Sequence, residues 1–143
     1  MSRYDRAMSD VDADIAWEGG TVLSARSGRA SMSIDWDGAT AVTPVQALVL
    51  ALAGCMASDV VLILEKGRHP LRGLTVRVSA DRAEKPPRRL LRVRVAFAAW
   101  GDVPPEKVER AIRLSRETYC SVWHSLAPDI ELTTSYEVAG SPA

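Results

Sequence analysis

Cysteines and aromatic residues are scarce in this chain, and net charge is missing altogether. Two cysteines in 143 residues are too few for the disulfide framework of a small secreted module, and no C-x-x-C or similar close ligand pair supports a zinc site built from Cys55, Cys120, His69 and His124. Eighteen basic residues balance eighteen acidic ones, so nothing draws the chain as a whole to nucleic acid or to an anionic membrane. Residues 1–14 lack the apolar segment of a secretory signal. The longest apolar run, Ala47 to Ala57, is about 11 residues, too short to span a bilayer. There is no internal repeat and no low-complexity tract. What is present, 47% apolar and 25% charged residues, is the composition of one soluble globular domain, residues 1–143, cytoplasmic by default. Its expected partners are proteins or small molecules, with no cofactor and no metal.

The apolar periodicity predicts an α+β fold. Ala13 to Trp36 reads as a hairpin turning at Ser27-Gly28, with Arg26 and Arg29 at its tip. A long helix is predicted from Pro44 to Lys66. Thr43 and Gln46 form a capping box at its start, Pro44 suits the first helical position, and Gly67 with His69-Pro70 stops it. Apolar residues nearly surround this helix, so it is expected to be central and buried. One small sheet covers only one side of it, and a homodimer would cover the rest. Strands are predicted around Leu74–Val78 and Leu91–Phe97, then a helix from Pro105 to Thr118 or Tyr119, a helical turn from Ser121, and a last strand, Ile130 to Val138. Helices and strands in this order point to an antiparallel sheet packed on helices.

The two thiols carry the chemistry. Cys55 lies mid-helix in Leu52-Ala53-Gly54-Cys55, and Cys120 ends the second helix in Tyr119-Cys120-Ser121-Val122. A free cysteine is most often a small buried hydrophobe. In a reducing compartment, however, two thiols in organised segments are either inert packing or a redox pair. Asp59, one turn beyond Cys55, would raise a neighbouring thiol's pKa if charged, so a structural hydrogen-bond role is expected for it. His124 is close to Cys120 in sequence, but a lone histidine is more often packed or exposed.

Five segments together resemble the OsmC/Ohr family, the osmotically inducible and organic hydroperoxide resistance proteins. They are Thr43-Pro44, Leu52-Ala53-Gly54-Cys55, Asp59-Val60-Val61 through Lys66, Asp81-Arg82-Ala83-Glu84 and Tyr119-Cys120-Ser121-Val122. The resemblance is stronger to the OsmC-like branch than to the hydroperoxide reductases. It implies antiparallel sheets packed around central helices in an intertwined homodimer, with active sites at the subunit interface. It further implies that Cys55 attacks a small organic hydroperoxide, that the sulfenic acid condenses with Cys120, and that a dithiol donor such as a lipoylated protein restores both thiols. Arg26 or Arg29, depending on how the turn aligns, would be the cation beside the thiolate, and Leu48, Leu52 and Trp123 would line an apolar substrate pocket. The reductases place a glutamate at the start of the cysteine helix to hold the arginine, whereas this chain has Val45 and Gln46. The expectation is therefore a weak peroxidase in a stress response. The alternative is an OsmC-like dimer that binds a small ligand without turnover or senses redox state.

Overall fold

The computed structural model describes residues 10–141. They fall into two compact units that divide within one helix, the first ending at Leu48 and the second beginning at Val49.

In the first unit, strands β1 (Asp14–Trp17), β2 (Val22–Ser27) and β3 (Ala30–Asp35) form an antiparallel meander. The single hairpin expected over Ala13–Trp36 is thus two hairpins. The extra turn is made by Gly19 and Gly20, both at positive φ, a conformation that only glycine adopts without steric cost. The predicted turn at Ser27-Gly28 is present, and Ser27 pairs with Ala30 across it. After β3, buried Asp35 organises the loop: its carboxylate accepts the backbone N–H groups of Asp37, Ala39 and Thr40 and the Thr40 hydroxyl at 3.0–3.2 Å. The Thr21 hydroxyl first, then the N–H groups of Thr40 and Asp37 and the Thr40 hydroxyl, hold that carboxyl well below the usual range despite its burial. The loop delivers Thr43 to helix α1 (Pro44–Lys66). Here the capping box is reciprocal, with Thr43 N–H donating to Gln46 Oε1 at 2.9 Å and Gln46 N–H to Thr43 Oγ1 at 3.2 Å.

The second unit holds the rest of α1, strands β4 (Leu71–Arg82) and β5 (Leu90–Gly101), helix α2 (Pro105–Leu114), a wide helical turn (Ser115–Tyr119), the short helix α3 (Ser121–His124) and strand β6 (Glu131–Ala139). The sheet order is β4-β5-β6. β4 and β5 are antiparallel, but β6 runs parallel to β5, so the expectation of an antiparallel sheet holds for one of the two pairings. A parallel neighbour needs a crossover connection, and α2 with α3 supplies it. Val93, Val95, Phe97 and Ala99 of β5 alternate inward and join Val108, Ala111 and Ile112 of α2 and Leu132 of β6 in the core.

From α1, Leu52, Met56, Val60 and Leu64 recur at four-residue steps and are buried, each worth about 1.5–3 kcal/mol of hydrophobic stabilisation as an upper estimate. Elsewhere on the helix Leu50, Ala51, Gly54, Ser58 and Leu62 are exposed, and Leu62 is 62% accessible. Within the second unit the helix expected to be buried all round is thus covered on one face, as the single sheet of that unit allows. Its 23 residues taken together are also long and apolar enough to cross a bilayer, unlike the shorter uninterrupted run. The buried Leu52–Leu64 stripe nevertheless makes it part of the protein core.

Candidate dithiol site

Cys55 and Cys120, separated by most of the second unit's sequence, meet in space. Their sulfurs and an Asp59 carboxylate oxygen all lie within 4.8 Å of one another. Cys55 projects from the middle of α1, half-buried, beside the core stripe. Cys120 is carried by the wide turn after α2. In that turn the Cys120 N–H reaches back to the Ser115 carbonyl at 2.8 Å, an i→i+5 bond. This widening, common at functional sites, ends the helix with Cys120 wholly buried. It also leaves Ser115 buried, its hydroxyl donating to Asp59 Oδ2 at 2.8 Å. Cys120 in turn caps α3, its sulfur accepting the Trp123 N–H at 3.4 Å.

The two thiols stand in opposite electrostatic situations. Burial pushes the Cys55 thiol up, but the Val122 N–H, the Cys120 thiol and the Ser121 hydroxyl, 3.9 Å from the sulfur, together outweigh burial and the Asp59 charge. Its net shift is downward. For Cys120 burial dominates, and despite the Trp123 N–H its thiol is pushed up to about 11, since it gives its proton toward Cys55 and faces Asp59. One sulfur is accessible and inclined to ionise; the other is enclosed and holds its proton.

The expected site residues are distributed as follows. Cys55 and Cys120 come together, and Asp59 forms the hydrogen bond anticipated for it. Leu52, expected to line a pocket, is 0% exposed and offers no surface to a ligand; it is core packing beneath Cys55. Trp123 is half-buried on α3, one helical turn after Cys120, whose sulfur accepts its N–H. Leu48, Arg26 and Arg29 belong to the first unit. Arg26 is the penultimate residue of β2, opposite Ser31, Arg29 occupies the following turn, and both are exposed. Ser115 and Ser121 were not singled out as site residues. Ser115 shares the buried side of the second helix with Val108, Ala111 and Ile112, and a polar residue on that side is the signal for it. Of the two histidines, His69 is half-buried and His124 exposed, and neither joins the cluster. The three side chains are of metal-ligating types within 4.8 Å of one another, but Cys120 keeps its proton and Asp59 Oδ2 is engaged by Ser115, so the cluster is a dithiol site. Asp59 also borders an open cleft of about 630 Å³ whose walls include Lys66, Arg110 and Tyr119.

Comparison with known proteins bears on the chain as a whole. The profile of the OsmC-like protein family matches residues 37–135. Protein YhfA of Escherichia coli K12 is 34% identical over 134 residues, covering 92% of this chain and all of YhfA. Among solved structures, a hypothetical protein from Aquifex aeolicus VF5 superposes with a TM-score of 0.85 at 23% identity, covering 92% of this chain and 98% of its own. The organic hydroperoxide resistance protein OhrB of Bacillus subtilis superposes with a TM-score of 0.64 at 14% identity, covering 91% and 99%. At those identities the two structures share the fold.

Proposed function

The chain belongs to the OsmC-like family, and on that premise we propose that it reduces organic hydroperoxides through a cycle of Cys55 and Cys120. The observation that carries this reading is the division of labour between the sulfurs: an accessible thiol that is drawn toward ionisation beside a buried thiol that keeps its proton. The Cys55 thiolate attacks the terminal peroxide oxygen. The O–O bond breaks, the alkoxide takes a proton and leaves as alcohol, and Cys55 becomes a sulfenic acid. The Cys120 sulfur then displaces hydroxide, which leaves as water, and the disulfide forms. A dithiol donor, such as a lipoylated protein, takes up the disulfide and returns two thiols.

Arg26 and Arg29 are the candidates for the cation that orients the peroxide, to be separated by Arg26→Ala and Arg29→Ala. No carboxylate stands at Val45 or Gln46, and Gln46 is already engaged in the capping box, which favours a slow enzyme. The working unit in this reading is a homodimer. It is supported by the exposed apolar face of α1 and by exposed Ile15, Trp17, Met32 and Trp36 of the first unit. Gly54, mid-helix with open space where a Cβ would stand, costs about 1 kcal/mol in helix propensity relative to alanine, and close approach of a second helix accounts for that cost. Light scattering should return twice the 15.5 kDa chain mass, and Gly54→Leu should return the chain mass.

The test of the activity is titration of the reduced protein with cumene hydroperoxide. One equivalent should remove both thiols. In Cys55→Ser the remaining Cys120 thiol should survive, and in Cys120→Ser a dimedone-reactive sulfenic acid should accumulate on Cys55. Thiols that persist in the parent protein would leave ligand binding without turnover as the better account, with thermal stabilisation by an apolar ligand that Cys55→Ser leaves intact.

A further inference from the structure

Asp59 is a half-buried carboxylate within 4.8 Å of both sulfurs, and the cycle above gives it no part. It sits where a negative charge opposes thiolate formation at either cysteine, so its presence hinders the first step. A merely structural carboxylate could be replaced by a neutral acceptor for the Ser115 hydroxyl without that hindrance.

The second step has a different requirement. Cys120 is 0% exposed, and its sulfur is already engaged by the Trp123 N–H at 3.4 Å, so bulk water has no direct access to its proton. Before or during its attack that proton must go to a neighbouring base. The carboxylate of Asp59 is the acceptor the fold places within reach, directly or through one bridging water. Ser115 fixes one oxygen, Oδ2, at 2.8 Å, and among the described residues no donor is bonded to the other. The cleft walled by Lys66, Arg110 and Tyr119 opens the same carboxylate to solvent, giving the proton a way out.

We propose that Asp59 carries the proton of the resolving step, taking it from Cys120 as the sulfur–sulfur bond forms. When the electrophile is the Cys55 sulfenic acid, the S–O bond breaks and the carried proton leaves with the hydroxide as water. When the electrophile is a mixed disulfide on Cys55, the sulfur–sulfur bond to the outer thiol breaks, that thiol departs, and the proton passes to solvent. The inference rests on the dithiol reading but does not require peroxide, because any reagent that activates the Cys55 sulfur presents Cys120 with the same task.

The experiment uses 5,5′-dithiobis(2-nitrobenzoic acid) with the full reduced chain in stopped flow. Cys55 releases one thionitrobenzoate when it is modified, and Cys120 releases the second when it closes the disulfide. Asp59→Asn keeps an oxygen to accept from Ser115 but cannot carry a proton. It should leave the first phase equal or faster, since a negative charge is removed, and slow the second phase by about tenfold or more, while Asp59→Glu restores part of the second phase. This opposite response of the two steps is not expected from simple loss of structure. A second phase unchanged in Asp59→Asn, or both phases slowed alike with no rescue by glutamate, would overturn the proposal.

Should the variants fail to fold, the parent protein's second phase decides between pH 6 and 9. With an internal carrier it does not follow the hydroxide concentration, whereas direct removal of the Cys120 proton by hydroxide raises it about tenfold per pH unit. The groups facing the cluster or its cleft are Cys55 and Lys66 of α1, Arg110 of α2 and Tyr119 of the wide turn. If both phases behave as proposed and hydroperoxide leaves the thiols intact, the peroxidase reading falls and the role of Asp59 stands. If hydroperoxide closes the disulfide and the second phase ignores Asp59, the reverse holds.

Discussion

Replacing Cys120 by alanine should make Cys55 less acidic, although the substitution removes a neighbour that could itself have become negative. In the reduced protein Cys120 holds its proton and donates toward the Cys55 sulfur, helping the Val122 N–H and Ser121 hydroxyl to outweigh burial. A hydrogen bond to a charged group is worth about 1.5–3 kcal/mol when enclosed. Cys55 is only half-buried, and two donors remain, so the lower part of that range applies. About 1.4 kcal/mol corresponds to one pH unit and a tenfold loss of thiolate below the pKa. The assay is the pH dependence of thiolate absorbance near 240 nm, checked by the rate of iodoacetamide alkylation, with Cys120→Ala and the parent compared at equal melting temperature. A Cys55 pKa that stays put or falls in the variant would refute the reasoning, since it would mean that the neighbouring sulfur repels rather than supports the thiolate.

Gly73→Ala should destabilise the fold by about 1–3 kcal/mol, the cost of overpacking, because a Cβ there would meet the Trp100 ring across β4 and β5; denaturant midpoints measure it. Gln46→Ala, which opens one half of the capping box, should cost about 1 kcal/mol and leave Cys55 alkylation unchanged. Cys120, with its thiol raised to about 11, contributes stability that is fully present below the unfolded thiol pKa of about 9 and is lost as pH rises through 11. The difference in unfolding free energy between parent and Cys120→Ala should therefore shrink by roughly 2 kcal/mol between those values, and a difference independent of pH would contradict the raised thiol.

The sequence was most legible where local chemistry alone decides structure. Thr43, Pro44 and Gln46 announce the start of α1, and Gly67 ends it, so its bounds, Pro44–Lys66, were readable without tertiary information. The alternation of Val93, Val95 and Phe97 likewise identified the buried face of β5. The direction of β6 was not legible, because alternation along Ile130–Val138 is the same for a parallel as for an antiparallel neighbour. Nor was the turn at Gly19-Gly20, where a short first strand, Asp14–Trp17, exposed along its whole length, gives a weak periodic signal.

At the site, the two cysteines could be named from their segments. Their approach to one another depends on the i→i+5 turn at Ser115–Tyr119, which an ordinary helical pattern does not reveal. The placement of Leu52 failed for a related reason: a position next to Cys55 on the helical wheel can face the core as easily as a pocket, and here it belongs to the stripe that continues through Met56 and Val60.

The central claim, that Cys55 and Cys120 form one redox couple driven by organic hydroperoxide, is tested most directly by intact-mass analysis and peptide mapping of the reduced protein after one equivalent of cumene hydroperoxide. The predicted product has lost two hydrogens, contains a single cross-linked peptide pair joining Cys55 to Cys120 within one chain, and is accompanied by one equivalent of cumyl alcohol. An unchanged mass with both cysteines still open to alkylation under denaturing conditions, or oxygen added only to methionine, would contradict the account.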